Sequence, residues 1–163
     1  MSQATRTTTG TTTPATTRGA GRIGPVIGVV GALLALAVAY IHGVDQGGFP
    51  GDKSPAYIGI GYYVREVVAV VVAVALLVGR SRHRVGTWLL AAAVGAGPLA
   101  GFILTRGPGL PDATDDRGNW GEPIGVASLV VEGVLIVLSL ACAASLRTPD
   151  RAEVGASEEA SGR

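Results

Sequence analysis

Four long apolar blocks separated by three short polar interruptions dominate the chain, at residues 23–41, 57–78, 85–104 and 123–146. A helix rises about 1.5 Å per residue, so roughly 20 mainly apolar residues match a hydrocarbon layer of about 30 Å. Each block has that length, and none alternates in polarity as the shorter strands of a membrane barrel do. The pattern predicts an all-α fold, a four-transmembrane-helix bundle over residues 23–146. The flanking segments differ in kind. Residues 1–22 are threonine-rich between Thr7 and Thr17, and residues 147–163 are polar and charged. Neither can bury enough apolar surface to fold alone, so both are expected to be disordered tails.

The charges give the bundle a direction. Arg6, Arg18 and Arg22 precede the first block, Arg80, Arg82 and Arg84 occupy the turn between the second and third, and Arg147 and Arg151 follow the fourth. Under the positive-inside rule these segments are cytoplasmic, which puts both termini inside and the other two loops outside. A competing reading takes the first block as a secretory leader, because Ala37-Val38-Ala39 before Tyr40 has the small-x-small form of a cleavage site. That leader would run to about 39 residues, beyond the usual 15 to 30, so a retained first helix is the preferred reading.

Composition narrows the classes further. Hydrophobic residues make up 48% and charged residues 15% of the 163, and the net charge of +1 comes with no basic stripe for nucleic acid. Cys142 is the single cysteine, which excludes an internal disulfide and a multi-cysteine metal site and leaves a small buried apolar side chain as its plain reading. The 25 glycines matter more, because helices in lipid associate through close contacts of small residues. Gly24 with Gly28 and Gly97 with Gly101 each share a helix face, expected to pack inside the bundle or against a membrane-protein partner or second copy. Pro98 between two glycines favours a kink, and Trp88, Tyr40, Tyr57 and Trp120 near the span ends suit interfacial anchors.

Ionisable groups inside the spans are costly and need partners. Arg65 and Glu66 lie in the second block and Glu132 in the fourth, and counting from Tyr57 and Pro123 places Arg65 and Glu132 at about 12 and 13 to 14 Å depth. Arg65 is expected to pair with Glu132. Glu66, about 100° around the helix, would then meet Arg106 or His42. These five residues define a small outward-facing polar cluster, with Tyr62 and Tyr63 one turn above it. Ser128, Glu132 and Ser139 form one polar stripe on the fourth helix. From Val67 to Val78 the second helix has no polar side chain, so no continuous proton wire is visible, and an ion pair that fixes helix register is the favoured reading.

The segment from Thr105 to Pro123 is dense in turn formers and carboxylates. With Trp120 suited to the interface and Pro123 to a first helical turn, it reads as a lid made of Asp112, Asp115, Asp116, Asn119, Trp120 and Glu122. Asp112, Thr114 and Asp116 alternate as in a calcium loop, but the glycine offset is wrong and the closing glutamate is missing. His42, Asp45 and Glu122 could add metal ligands from separate loops, yet solvated acids are the favoured reading. His42 and His83 stand at opposite ends of the bundle, which excludes a haem held between them. There is no nucleotide-binding glycine loop, zinc helix motif or nucleophile elbow, so no cofactor and no catalytic constellation is expected.

The run Asp116-Arg117-Gly118-Asn119-Trp120-Gly121-Glu122-Pro123, then Gly125 to Glu132, with His42 closing the first helix, resembles small uncharacterised four-helix membrane proteins of actinobacteria. The resemblance implies a bacterial plasma membrane and this topology, and carries no activity. Three classes follow in order: an accessory or scaffolding subunit of a membrane assembly, a protein that binds or conducts a proton, ion or small ligand through the outer cavity, and an enzyme.

Overall fold

A computed structural model of the chain describes residues 23–49, 51 and 53–147. Residues 1–22 and 148–163, which hold the tails expected to be disordered, lie outside them. The described residues form four helices, α1 (Pro25–Asp45), α2 (Ala56–Leu77), α3 (Val85–Arg106) and α4 (Pro123–Ser145), with a short 3₁₀ turn at Ser81–His83 between α2 and α3. Pro25 and Pro123 open α1 and α4, where a fixed φ suits the first turn and no N–H is needed.

All four helices are long and apolar enough to cross a membrane. Only 22 to 33% of each span is buried inside the bundle, and the rest presents side chains such as Leu33, Val64, Val67, Val130 and Val137 outward. That much exposed apolar surface is unfavourable in water, at about 25 cal/mol per Å², and neutral in lipid. The chain is a small multi-pass membrane protein.

The helices stand around a square. α1 packs along α2 and α3 along α4, the α1–α4 contact joins the two pairs, and the α2–α3 edge is the loosest of the four. Ala35, Val38, Ala69, Val72, Leu76, Trp88, Ala91 and Leu135 fill the centre and are fully buried. Close backbone approach occurs at one glycine of the pairs expected from spacing, Gly28, and at Gly95, which belongs to neither pair. A Cβ on Gly28 would stand 2.7 Å from the Leu76 carbonyl oxygen, and one on Gly95 would stand 2.9 Å from the Glu132 carbonyl oxygen. Gly24, Gly97 and Gly101 face open space instead. A four-residue spacing identifies a shared face but not which face meets a neighbour.

Trp88 also departs from expectation. It is a fully buried pillar rather than an interfacial anchor: its ring lies against Gly31, and its Nε1 donates to the Arg82 carbonyl at 2.8 Å. Tyr40, Tyr57 and Trp120 are exposed at the opposite end. There α1 continues to Asp45, four residues past its expected end at residue 41, so that His42 and Asp45 project from its last turn. Both line the interior cavity at this end of the bundle.

Candidate functional site

At the end of the bundle that carries the two long connections, the helices diverge around a cavity of about 420 Å³. His42 and Asp45 enter it from α1, Tyr62 and Arg65 from α2, Phe102 and Arg106 from α3, and Ser128 and Glu132 from α4. Four of the five residues expected in a polar cluster line it, namely His42, Arg65, Arg106 and Glu132, and Glu66 does not. Glu66 points along the α1–α2 contact and accepts a hydrogen bond from Gln46 Nε2 at 2.9 Å. The 100° step between Arg65 and Glu66 separates them.

Glu132 is 1% exposed and finds its partners on α1 and on its own helix. Its Oε1 lies 2.8 Å from His42 Nε2 and accepts a hydrogen bond from Ser128 Oγ, one turn earlier. Ser128 Oγ is itself 3.0 Å from His42 Nε2. With the serine proton directed at Glu132, the hydroxyl oxygen accepts, and the imidazole Nε2–H is shared between the two oxygens. A serine-nucleophile triad needs hydroxyl and carboxylate on opposite ring nitrogens. Here both sit on Nε2 while Nδ1 is buried and unpartnered, so the ring cannot pass a proton between them.

Arg65 is the correction to the expected ion pair. Its guanidinium centre lies 4.8 Å above the Tyr62 ring, and its Nε and one terminal nitrogen are buried with no hydrogen-bond partner. Among the described residues it makes no ion pair within 4 Å, and Glu132 is held by His42 and Ser128 instead. Equal depth was legible from the sequence, but the side-chain azimuths that give Glu132 to α1 were not. The second carboxylate oxygen of Glu132, Oε2, is likewise buried and without a partner.

The other charges of the cavity are matched. Asp45 accepts from the Tyr62 hydroxyl at 2.5 Å and pairs with Lys53 at 3.3 Å. Arg106 lies 4.6 Å over the Phe102 ring and pairs with Asp116 at 3.3 Å and with Glu122 at the α4 N-terminus. These contacts fasten the α3–α4 connection across the cavity. Asp112, Asp115, Asp116 and Glu122 of the expected lid line it, while Trp120 packs edge-on against Phe102 at 5.9 Å outside it, and the Asn119 N–H closes a turn onto Asp116. A tight turn from Leu110 to Ala113, with Asp112 at φ 56°, is tied to α2 by the Tyr57 hydroxyl donating to the Pro111 carbonyl at 2.6 Å. Among the described residues no three potential metal ligands converge.

Asp45, Lys53, Tyr62 and Ser128 carry much of this network and stood outside the five-residue cluster read from the sequence. Tyr62 had a signal, one turn above Arg65 on the same helix face. Lys53 had none, because a loop lysine carries no periodicity.

No protein-family model, curated protein or solved structure matches the chain. What the cavity does is therefore argued from its own chemistry.

Proposed function

We propose that this membrane protein binds a small anionic ligand in the cavity, from the outer side of a plasma membrane, with Arg65 holding the negative group. The observation that carries this reading is the set of charges. Asp45, Lys53, Arg106, Asp116, Glu122 and Glu132 each have a charged partner or a histidine within 4 Å, whereas Arg65 feels Glu66, Glu132 and Asp45 only from farther away and has buried donors that no group bonds. Asp112 and Asp115 are exposed and solvated, which screens them. Insertion scales put an arginine at the centre of a span at about 2.5–3.5 kcal/mol, a cost that an anion at its free fork would offset.

Binding suits the shape better than conduction. Beyond Glu132 the interior closes with Leu76, Trp88 and Leu135, and buried Ser139 Oγ has no partner with which to continue a relay.

Titrating acetate and inorganic phosphate into the detergent-solubilised protein at constant ionic strength tests it, with the unfolding midpoint as readout. At hundredfold excess over Kd a ligand adds about 2.7 kcal/mol, a shift of roughly 5–10 °C for a chain of this size. Arg65→Gln should abolish the shift while raising the midpoint of the anion-free protein. An equal anion response in wild type and Arg65→Gln would sink the reading.

A second reading, an accessory subunit, has one observation in its favour. Ala93, Ala96, Gly97 and Ala100 form an exposed small-residue face on α3, the kind on which another helix packs closely. Gly97→Leu should then abolish association with a membrane partner or second copy at unchanged monomer stability, as read by cross-linking in the membrane.

A further inference from the structure

Arg65 borders two openings rather than one. On the outside of the bundle, along the loose α2–α3 edge, lies a groove of about 380 Å³ lined by Ile60, Gly61, Val64, Val68, Leu90 and Val94, with Arg65 at its inner wall. Apart from Arg65 and Tyr57 this lining is wholly apolar, and Ile60 and Val64 are exposed toward the surrounding lipid. Arg65 also lines the polar cavity. Arg65 is thus common to an apolar groove on the lipid side and to the polar cavity, and its Nε and one terminal nitrogen are buried between them without a partner.

We infer that the ligand is an anionic acyl lipid drawn from the surrounding leaflet, its charged head on Arg65 and its chain in the α2–α3 groove. The inference rests on the reading that Arg65 holds an anion in the cavity, and it names the chemical class. A water-soluble anion would use the cavity alone and would leave the groove without a role. An uncharged lipid would fill the groove and leave the guanidinium unmatched. Only an amphiphile with a negative head satisfies both, because its chain replaces bilayer lipid at little cost while its head makes charge-assisted hydrogen bonds to the planar fork. Glu132 lines the same cavity, and its Oε2, buried and without a partner, would accept from a hydroxyl carried on such a head.

The full chain in detergent micelles, titrated with phosphatidylglycerol, phosphatidylcholine or glycerol phosphate and followed by unfolding midpoint and native mass spectrometry, separates the outcomes. Two variants accompany it. Arg65→Gln removes the fork, and Gly61→Leu fills the groove. A Cβ on Gly61 meets nothing within 4 Å, so the new side chain grows into open space and not against a neighbour. Phosphatidylglycerol should bind at least tenfold tighter than phosphatidylcholine, and each variant should weaken it at least tenfold. Gly61→Leu should leave the weaker binding of glycerol phosphate unchanged. If glycerol phosphate binds as tightly as the lipid and Gly61→Leu changes nothing, the ligand is water-soluble, and the lipid inference falls while the Arg65 site stands. Equal binding of phosphatidylcholine and phosphatidylglycerol overturns the anionic head. If neither phosphatidylglycerol nor glycerol phosphate responds to Arg65→Gln, the anion site falls with it.

Discussion

A charge held within a span persists where its neighbours offset the water it has lost, and Glu132 and Arg65 meet that demand differently. Glu132 has His42 and Ser128 on one oxygen, whereas Arg65 has an aromatic face and unused donors. Two double-mutant cycles read the difference. Unfolding free energies in detergent for His42→Ala with Glu132→Gln should show a coupling of about 1–3 kcal/mol, as for residues in contact, and Arg65→Gln with Glu132→Gln a clearly smaller one, about 0.5 kcal/mol, as for charges that act on each other without an ion pair. Strong coupling in the second cycle would restore the ion pair expected from the sequence. The expectation failed in a specific way. Residue spacing along α2 and α4 measures depth, but a partner also requires the rotation of each helix. Rotation is set by α1, whose last turn brings in His42 and Asp45.

Helix faces raise the same question one level up. The four spans were legible because length and apolarity alone determine whether a segment crosses a bilayer. The packing glycines were legible only in part: spacing named Gly28 but also Gly24, Gly97 and Gly101, which meet nothing, and it missed Gly95, because a close contact is made by the backbone opposite, Leu76 for Gly28 and Glu132 for Gly95. Gly28→Ala should therefore cost about 1–3 kcal/mol, because the obstacle is backbone and cannot step aside. Gly97→Ala, with nothing within 4 Å, should stay within about 0.5 kcal/mol. Thermal unfolding of the two single variants decides it, and equal losses would mean that α1 and α2 do not meet where described. In the α3–α4 connection, Arg106 ties Asp116 and Glu122 together, so Arg106→Gln should raise the rate of limited proteolysis within residues 107–122 several-fold. An unchanged rate would show that Arg106 does not fasten the lid.

At the scale of the molecule the helices make a vessel closed at one end. Polar groups gather under the α3–α4 connection, and from Val72 to Leu76 and Trp88 the interior is closed by apolar side chains. Half of this was readable in the chain. The polar-free run of α2 below Glu66 already argued against a through-path, while the size of the cavity and its shared border with the α2–α3 groove depend on how far the helices diverge, which no residue pattern records. The proposal that the cavity opens to the outer side of the membrane is tested most directly by thiol labelling in intact cells. Gly101→Cys, in a Cys142→Ala background, places a thiol on the cavity wall where a Cβ meets nothing within 4 Å, and Val72→Cys places one in the fully buried core. A membrane-impermeant maleimide added outside should label the first and spare the second. Labelling of Gly101→Cys only after the membrane is permeabilised, or not at all, would contradict a water-filled cavity that faces out.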